Sequence, residues 1–110
     1  MYQVYVSLYD SIKYFPKKDQ YTLGIRLEAM ALDILELIFL ARARSGAGQT
    51  LLLRKVDLKL KTLRLLVRMS HEIGALSQSS YIALEEKLLE IGRIIGGWLR
   101  RRSSRFTSGT

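Results

Sequence analysis

The sequence contains no cysteine, and that absence removes disulfides, thiolate metal sites and a cysteine nucleophile together. It fits a reducing compartment, and the expectation is a cytoplasmic protein. There is one proline, so the chain is interrupted by ring constraints at a single point, Pro16. There is one histidine, His71, and it stands beside Glu72 with no second histidine or cysteine to make a metal set or a nucleophile–base pair. It reads as a surface or interface residue. No catalytic residue, no metal and no cofactor is expected. Long apolar runs are missing too. The most apolar stretch, Ala29 to Ala41, is interrupted by Asp33 and Glu36 and is too short to span a bilayer, so no membrane span is expected. Met1 to Phe15 carries Asp10 and Lys13 inside an amphipathic pattern, unlike a secretory leader.

What is present is helical periodicity. Val4, Leu8, Ile12 and Phe15 recur at helical spacing, which predicts a first helix over roughly 2–14 ended by Pro16. A second helix is predicted over 19–45, with Asp19 as N-cap and Gly46 or Gly48 in the left-handed conformation at its end. A third is predicted over 50–76 with Thr50 as cap, and a fourth from Ser79 or Ser80 to Arg102. Short loops between long helices predict an all-α, up-down antiparallel four-helix bundle over residues 1–102. The alternative is an open helical array that needs a partner to bury its faces. Residues 103–110, poor in apolar groups, are expected to form a disordered basic and polar tail.

Two helices have two apolar sides. On the third, Leu52, Val56, Leu60, Leu63 and Val67 share one sector of the helical wheel. Leu51, Leu58, Leu65, Met69 and Leu76 lie nearly opposite. On the second, Leu23, Leu27, Met30, Ile34, Leu37, Ile38 and Ala41 make one face, and Ile25, Leu32 and Phe39 another. A monomeric bundle helix needs one stripe. The second stripes, Ile25, Leu32, Phe39, Leu51, Leu58, Leu65 and Met69, therefore predict a homo-oligomer joined through these two helices.

Acidic residues are outnumbered by basic ones, ten to 18, for a net charge of +8. The excess sits in two segments: 51–76 with six basic and two acidic residues, and 93–105 with five arginines and no acid. Such confinement points to a polyanionic partner, nucleic acid above all. On the third helix Arg54, Lys61, Arg64 and Arg68 form a line, with Asp57 near them and Lys55 and Lys59 on the other flank. Acids nearby look too few to pair them, so the row is expected to repel itself until an anion arrives. Arg93, Arg100 and Arg101 add to the candidate contacts on the fourth helix. The Glu85–Glu86 pair reads as helix-dipole compensation. No aromatic platform interleaves the basic segments, so low sequence specificity is expected.

The stretch "GRIIGGWLRRRSSR" (92–105) is not a phosphate loop, since no strand precedes it and no Gly-Lys-Ser/Thr is present. Gly92 and Gly96, one turn apart, read as room for close approach of another helix, with Ile91, Ile95 and Trp98 on the buried side. Arg100 to Arg105 reads as a basic extension.

Three stretches carry a family resemblance: "FPKKDQYTLGIRLEAMALDILELI", "LRLLVR" and "EIGRIIGGWLRR". Together they resemble the four-helix-bundle family that contains the accessory variability determinant (Avd) proteins of diversity-generating retroelements and the proteins encoded in intervening sequences of 23S rRNA genes. The Gly-Arg-Ile-Ile-Gly-Gly-Trp segment is more similar to the Avd branch. The resemblance implies a barrel-shaped homopentamer, a basic surface for RNA or DNA, and association with a reverse transcriptase. It implies that Arg64 and Arg68, which match a Leu-Arg-x-x-x-Arg pattern, make the contact. For the intervening-sequence branch it implies an interaction scaffold. A basic helix lying on a membrane surface is a weaker alternative.

Overall fold

A computed structural model of the chain describes the backbone of residues 1–108 and the side chains of residues 1–102. The expected tail, residues 103–110, has its side chains outside that description. Among the described residues all regular structure is helical, and no helix is long and apolar enough to cross a membrane. Four helices pack as a bundle in a rod of 54 × 20 × 18 Å.

Helix α1 (Tyr2–Ile12) buries Val4, Leu8 and Ile12, and Phe15 follows them into the core. Pro16 then stops the chain, as its missing N–H and fixed φ require. Its own carbonyl starts the next helix by accepting from the N–H groups of Asp19 (2.9 Å) and Gln20 (3.0 Å). The cap of the second helix is thus Pro16 rather than Asp19, which sits inside the first turn. Gln20 fastens the corner, its Nε2 donating to the carbonyls of Lys13 (3.1 Å) and Phe15 (3.0 Å).

Helix α2 has three parts: an α-helical turn at Lys17–Asp19, a π-helical turn at Gln20–Gly24, and an α-helix at Ile25–Arg42. The wide turn lies where α1 comes closest. A Cβ added to Gly24 would stand 2.7 Å from Ile12 Cγ2, so the two helices meet there only because that position has no side chain. The close-approach glycine of this fold is Gly24. Gly92 has nothing within 4 Å of where its Cβ would be, and Gly96 and Gly97 face only the guanidinium groups of Arg100 and Arg101. The expectation that Gly92 and Gly96 admit a neighbouring helix is not met within the chain.

Helix α3 (Gly46–Glu72) starts four residues before Thr50. Thr50 does not cap it; its hydroxyl donates back to the Gly46 carbonyl. Gly46 takes the left-handed φ of 63°. Gln49 is buried beneath this turn and donates from Nε2 to the Ala41 carbonyl at 2.8 Å. At the far end Gly74, at φ 83°, closes α3. The Ala75 N–H reaches the Ser70 carbonyl (2.9 Å) and the Gly74 N–H the His71 carbonyl (3.0 Å), the pair of bonds of a Schellman motif. This turn draws Leu76 into the core at 4% exposure, so Leu76 leaves the outer stripe assigned to it by periodicity. Helix α4 (Gln78–Ser108) is capped by Ser77, whose Oγ accepts from the Ser80 N–H at 3.3 Å. Ser79 and Ser80 lie inside its first turn.

The chain order is up-down: α3 packs between α2 and α4, and α1 lies against α2 and α4. The seam of α3 is Leu53, Val56, Leu60, Leu63 and Val67, each almost wholly buried. Leu53 takes the place periodicity gave to Leu52, which is half-buried. Facing this seam are Leu27, Ile34, Leu84, Leu88 and Ile95, and each such side chain contributes roughly 1.5–3 kcal/mol by leaving water. The second stripes remain outside. Ile25, Leu32 and Phe39 on α2, and Leu51, Leu58, Leu65 and Met69 on α3, are all exposed, Phe39 at 74% and Leu58 at 67%.

Two glycine substitutions separate these roles. Gly24→Ala forces overpacking against Ile12, costing about 1–3 kcal/mol, and lowers Tm. Gly92→Ala meets no atom and gains roughly 1 kcal/mol of helix propensity, which raises Tm by about 4–8 °C. Thermal unfolding followed by circular dichroism reads both; equal effects would contradict this assignment of the glycines.

Candidate functional site

The seam of α3 fixes where its charged row points. With Leu60 and Leu63 inward, Asp57, Lys61, Arg64 and Arg68 lie on the flank toward α4. There they line a shallow groove. One part, of about 320 Å³, is bounded by Asp57, Lys61 and Arg64 on α3 and by Gly92, Arg93 and Arg100 on α4. The next part, of about 250 Å³, is bounded by Lys61, Arg64, Arg68, Tyr81 and Glu85. The fold thus gathers five of the seven expected contact residues: Lys61, Arg64, Arg68, Arg93 and Arg100. Arg54 continues the α3 row one turn toward Gly46, and Arg101 follows Arg100 on α4. Both are exposed.

The expected self-repulsion of this row is relieved at three of its four cations, Lys61, Arg64 and Arg68, each of which has a carboxylate, and Arg93 on α4 has one too. Lys61 Nζ is 3.0 Å from Asp57. Arg68 Nε is 3.0 Å from Glu72. Arg93 pairs with Glu90 one turn before it on α4. Arg64 donates from Nε to Glu85 Oε1 at 2.7 Å, and its Nη2 lies 2.7 Å from the same oxygen. The first three pairs are local, along one helix and exposed, so each contributes only about 0.3–0.5 kcal/mol. They can open when a stronger anion comes. The Arg64–Glu85 pair differs. It joins two helices, and the Glu85 side chain is only 20% exposed. Because α4 starts at Gln78, Glu85 lies two turns into the helix, too far from its end for dipole compensation. Asp33, on α2, likewise meets a neighbour across helices, Lys59 at 3.8 Å.

Among the described residues Arg54, Arg100 and Arg101 make no ion pair. Arg100 folds back over Gly96 and Arg101 over Gly97, their guanidinium nitrogens 3.5 Å from the missing Cβ positions. The glycines of this stretch leave room for arginine side chains to lie along α4.

Tyr81 is the residue that sequence reading passed over. It borders the groove beside Arg68, and its ring stacks on His71 at 4.6 Å with the planes 2° apart. His71 Nδ1 also lies 3.2 Å from the Leu76 carbonyl, so His71 is part of the α3–α4 turn. One face of Tyr81 is therefore taken. The signal was faint in sequence, where Tyr81 is a lone aromatic ten residues from His71. No group of three or more histidine or acidic residues gathers to hold a metal among the described residues.

The model of the family described as bAvd-like matches residues 1–102. The chain belongs to that family. No curated protein and no solved structure gives a significant match.

Arg64 and Arg68 respond differently to charge reversal. Arg64→Glu sets a second carboxylate against the half-buried Glu85 and costs about 1–2 kcal/mol, lowering Tm by several degrees. Arg68→Glu faces Glu72 in solvent and costs only a few tenths of a kcal/mol. Equal melting temperatures for the two variants would show that the Arg64–Glu85 link does not hold α3 to α4.

Proposed function

We propose that this bAvd-like protein is a non-catalytic accessory protein of a diversity-generating retroelement. It binds RNA or DNA and partners a reverse transcriptase during mutagenic retrohoming, as a cytoplasmic homo-oligomer, a pentamer by likeness to Avd proteins. The observation that carries the reading is the family assignment over residues 1–102. Two physical features support it.

The first is the pair of exposed apolar stripes. Phe39 and Leu58 stand far out of the single chain, and Ile25, Leu32, Leu51, Leu65 and Met69 extend the band along the same two helices. Burying the band against a second copy removes a large apolar surface from water. The second feature is the groove between α3 and α4. Three of its cations, Lys61, Arg68 and Arg93, are held by weak local pairs that phosphate oxygens can replace with charge-assisted hydrogen bonds, and Arg100 makes no ion pair among the described residues. In a ring the groove recurs once per subunit, which gives a polyanion several weak contacts at a time.

A second reading is an interaction scaffold like the intervening-sequence proteins. The observation that favours it is the pairing of Lys61, Arg64, Arg68 and Arg93 with acids, which leaves the groove less electropositive than its cations alone would make it. Recovery of a reverse transcriptase with the tagged protein from its own host supports the accessory reading; recovery of other proteins without a polymerase supports the scaffold.

The double variant Phe39→Asp/Leu58→Asp should sediment as a monomer with unchanged helical circular dichroism, while the unsubstituted protein sediments as an oligomer. Nucleic-acid affinity should fall by more than tenfold in that monomer and should fall steeply with salt in the oligomer. A monomeric unsubstituted protein would contradict the oligomer, and absence of RNA and DNA binding at about 50 mM salt would contradict the accessory reading.

A further inference from the structure

The charge of this molecule is divided along its length. From Leu37 to Val56 the chain has Arg42, Arg44, Arg54 and Lys55 and no acid. From Ile91 to Arg102 it has Arg93, Arg100, Arg101 and Arg102 and no acid. These eight residues equal the net charge of +8 in number, and the other ten basic residues equal the ten acids in number, although Arg93 of the eight pairs with Glu90 just before its stretch. Composition differs as well. Seven of the eight are arginine, against four of the other ten.

The fold brings the two acid-free stretches to one end. Arg102 Nη2 donates to the Gly46 carbonyl at 3.3 Å, across the α3–α4 boundary. Gln49 Nε2 donates to the Ala41 carbonyl at 2.8 Å, across the α2–α3 turn. The end of α2, the start of α3 and the last described turns of α4 therefore form one basic end. At the other end and along the middle, Lys13, Lys59, Lys61, Arg64 and Arg68 each meet a carboxylate. Stability does not explain the surplus. Arg42 lies in the last turn of α2 and gains from the helix dipole. Arg100, Arg101 and Arg102 are more than a turn from the end of α4 and gain nothing from it. Six arginines gathered with no ion pair among the described residues repel one another.

We infer that this arginine-rich end, with Arg42, Arg44, Arg54, Arg100, Arg101 and Arg102, is the principal phosphate-backbone site for nucleic acid, and that the paired groove between α3 and α4 is secondary. Guanidinium groups present planar forks that match phosphate oxygens, and none of these six makes an ion pair among the described residues that would have to be displaced. Contacts with the backbone imply low sequence specificity and strong salt dependence. The inference rests on the nucleic-acid reading above and adds the location.

The test compares two triple variants with equal loss of charge. Arg42→Gln/Arg44→Gln/Arg101→Gln removes three of the six arginines of the end without touching Arg102, which bonds the Gly46 carbonyl. Lys59→Gln/Lys61→Gln/Arg68→Gln removes three of the five paired cations of the balanced part. Binding of a single strand of about 16 nucleotides is titrated against salt, with circular dichroism and sedimentation as controls for fold and assembly. The end variant should lose on the order of a hundredfold at about 100 mM salt, with a salt slope shallower by about 2. The other, which thins the secondary groove, should lose only about tenfold, since its cations must first leave Asp33, Asp57 and Glu72. An equal or larger loss in the second variant overturns the location and leaves the nucleic-acid reading standing. Failure of the unsubstituted protein to bind any strand overturns both. Stronger binding to phosphatidylserine vesicles than to nucleic acid, lost in the end variant, overturns the inference by assigning the end to a membrane surface.

Discussion

Burial of Leu53, Val56, Leu60, Leu63 and Val67 along α3 fixes what the rest of the molecule displays. A helix cannot turn one face inward without turning the others outward by set angles. Once this seam is committed, Asp57, Lys61, Arg64 and Arg68 must flank α4, and Leu51, Leu58 and Leu65 must stand away from the core. The exposed apolar band and the charged groove are consequences of one packing decision. Helix α3 is also the element that packs on both long neighbours, so a change in its rotation would move both surfaces at once.

Much of this was legible because helical periodicity reports rotation well. The α1 stripe, most of the α2 and α3 seams and the exposed second stripes follow from spacing alone. The errors cluster where the chain changes direction. Pro16 caps α2, Ser77 caps α4, and α3 begins at Gly46, because caps depend on which carbonyl or hydroxyl lands near a free N–H, and that is a property of the turn in space. Leu76 is buried because Gly74 adopts a left-handed φ and redirects the chain. A wheel drawn through Leu76 assumes the helix continues.

The glycines and the charges were misjudged for a shared reason: both depend on neighbours distant in sequence. Gly24 admits Ile12 across a corner, while the more conspicuous Gly92, Gly96 and Gly97 meet no helix in the chain. Arg64 finds Glu85, 21 residues away. Counting acids within one segment could not find that partner. The same pairing changes the meaning of the basic composition. Where carboxylates interleave, cations are paired; at the end shared by Arg42, Arg44 and Arg100 to Arg102 the charge makes no ion pair among the described residues. The net charge of the chain is therefore better read as a property of one end of the rod.

The central claim is that a homo-oligomer of this bundle is the species that holds nucleic acid. Native mass spectrometry of the protein mixed with a single RNA strand tests it most directly, since it reads subunit number and bound strand in the same ion. The account predicts strand-bound species at one fixed multiple of the 12.6 kDa subunit and none at the mass of a single subunit plus strand. Strand bound to single subunits, or oligomers that carry no strand at any ratio, would contradict it.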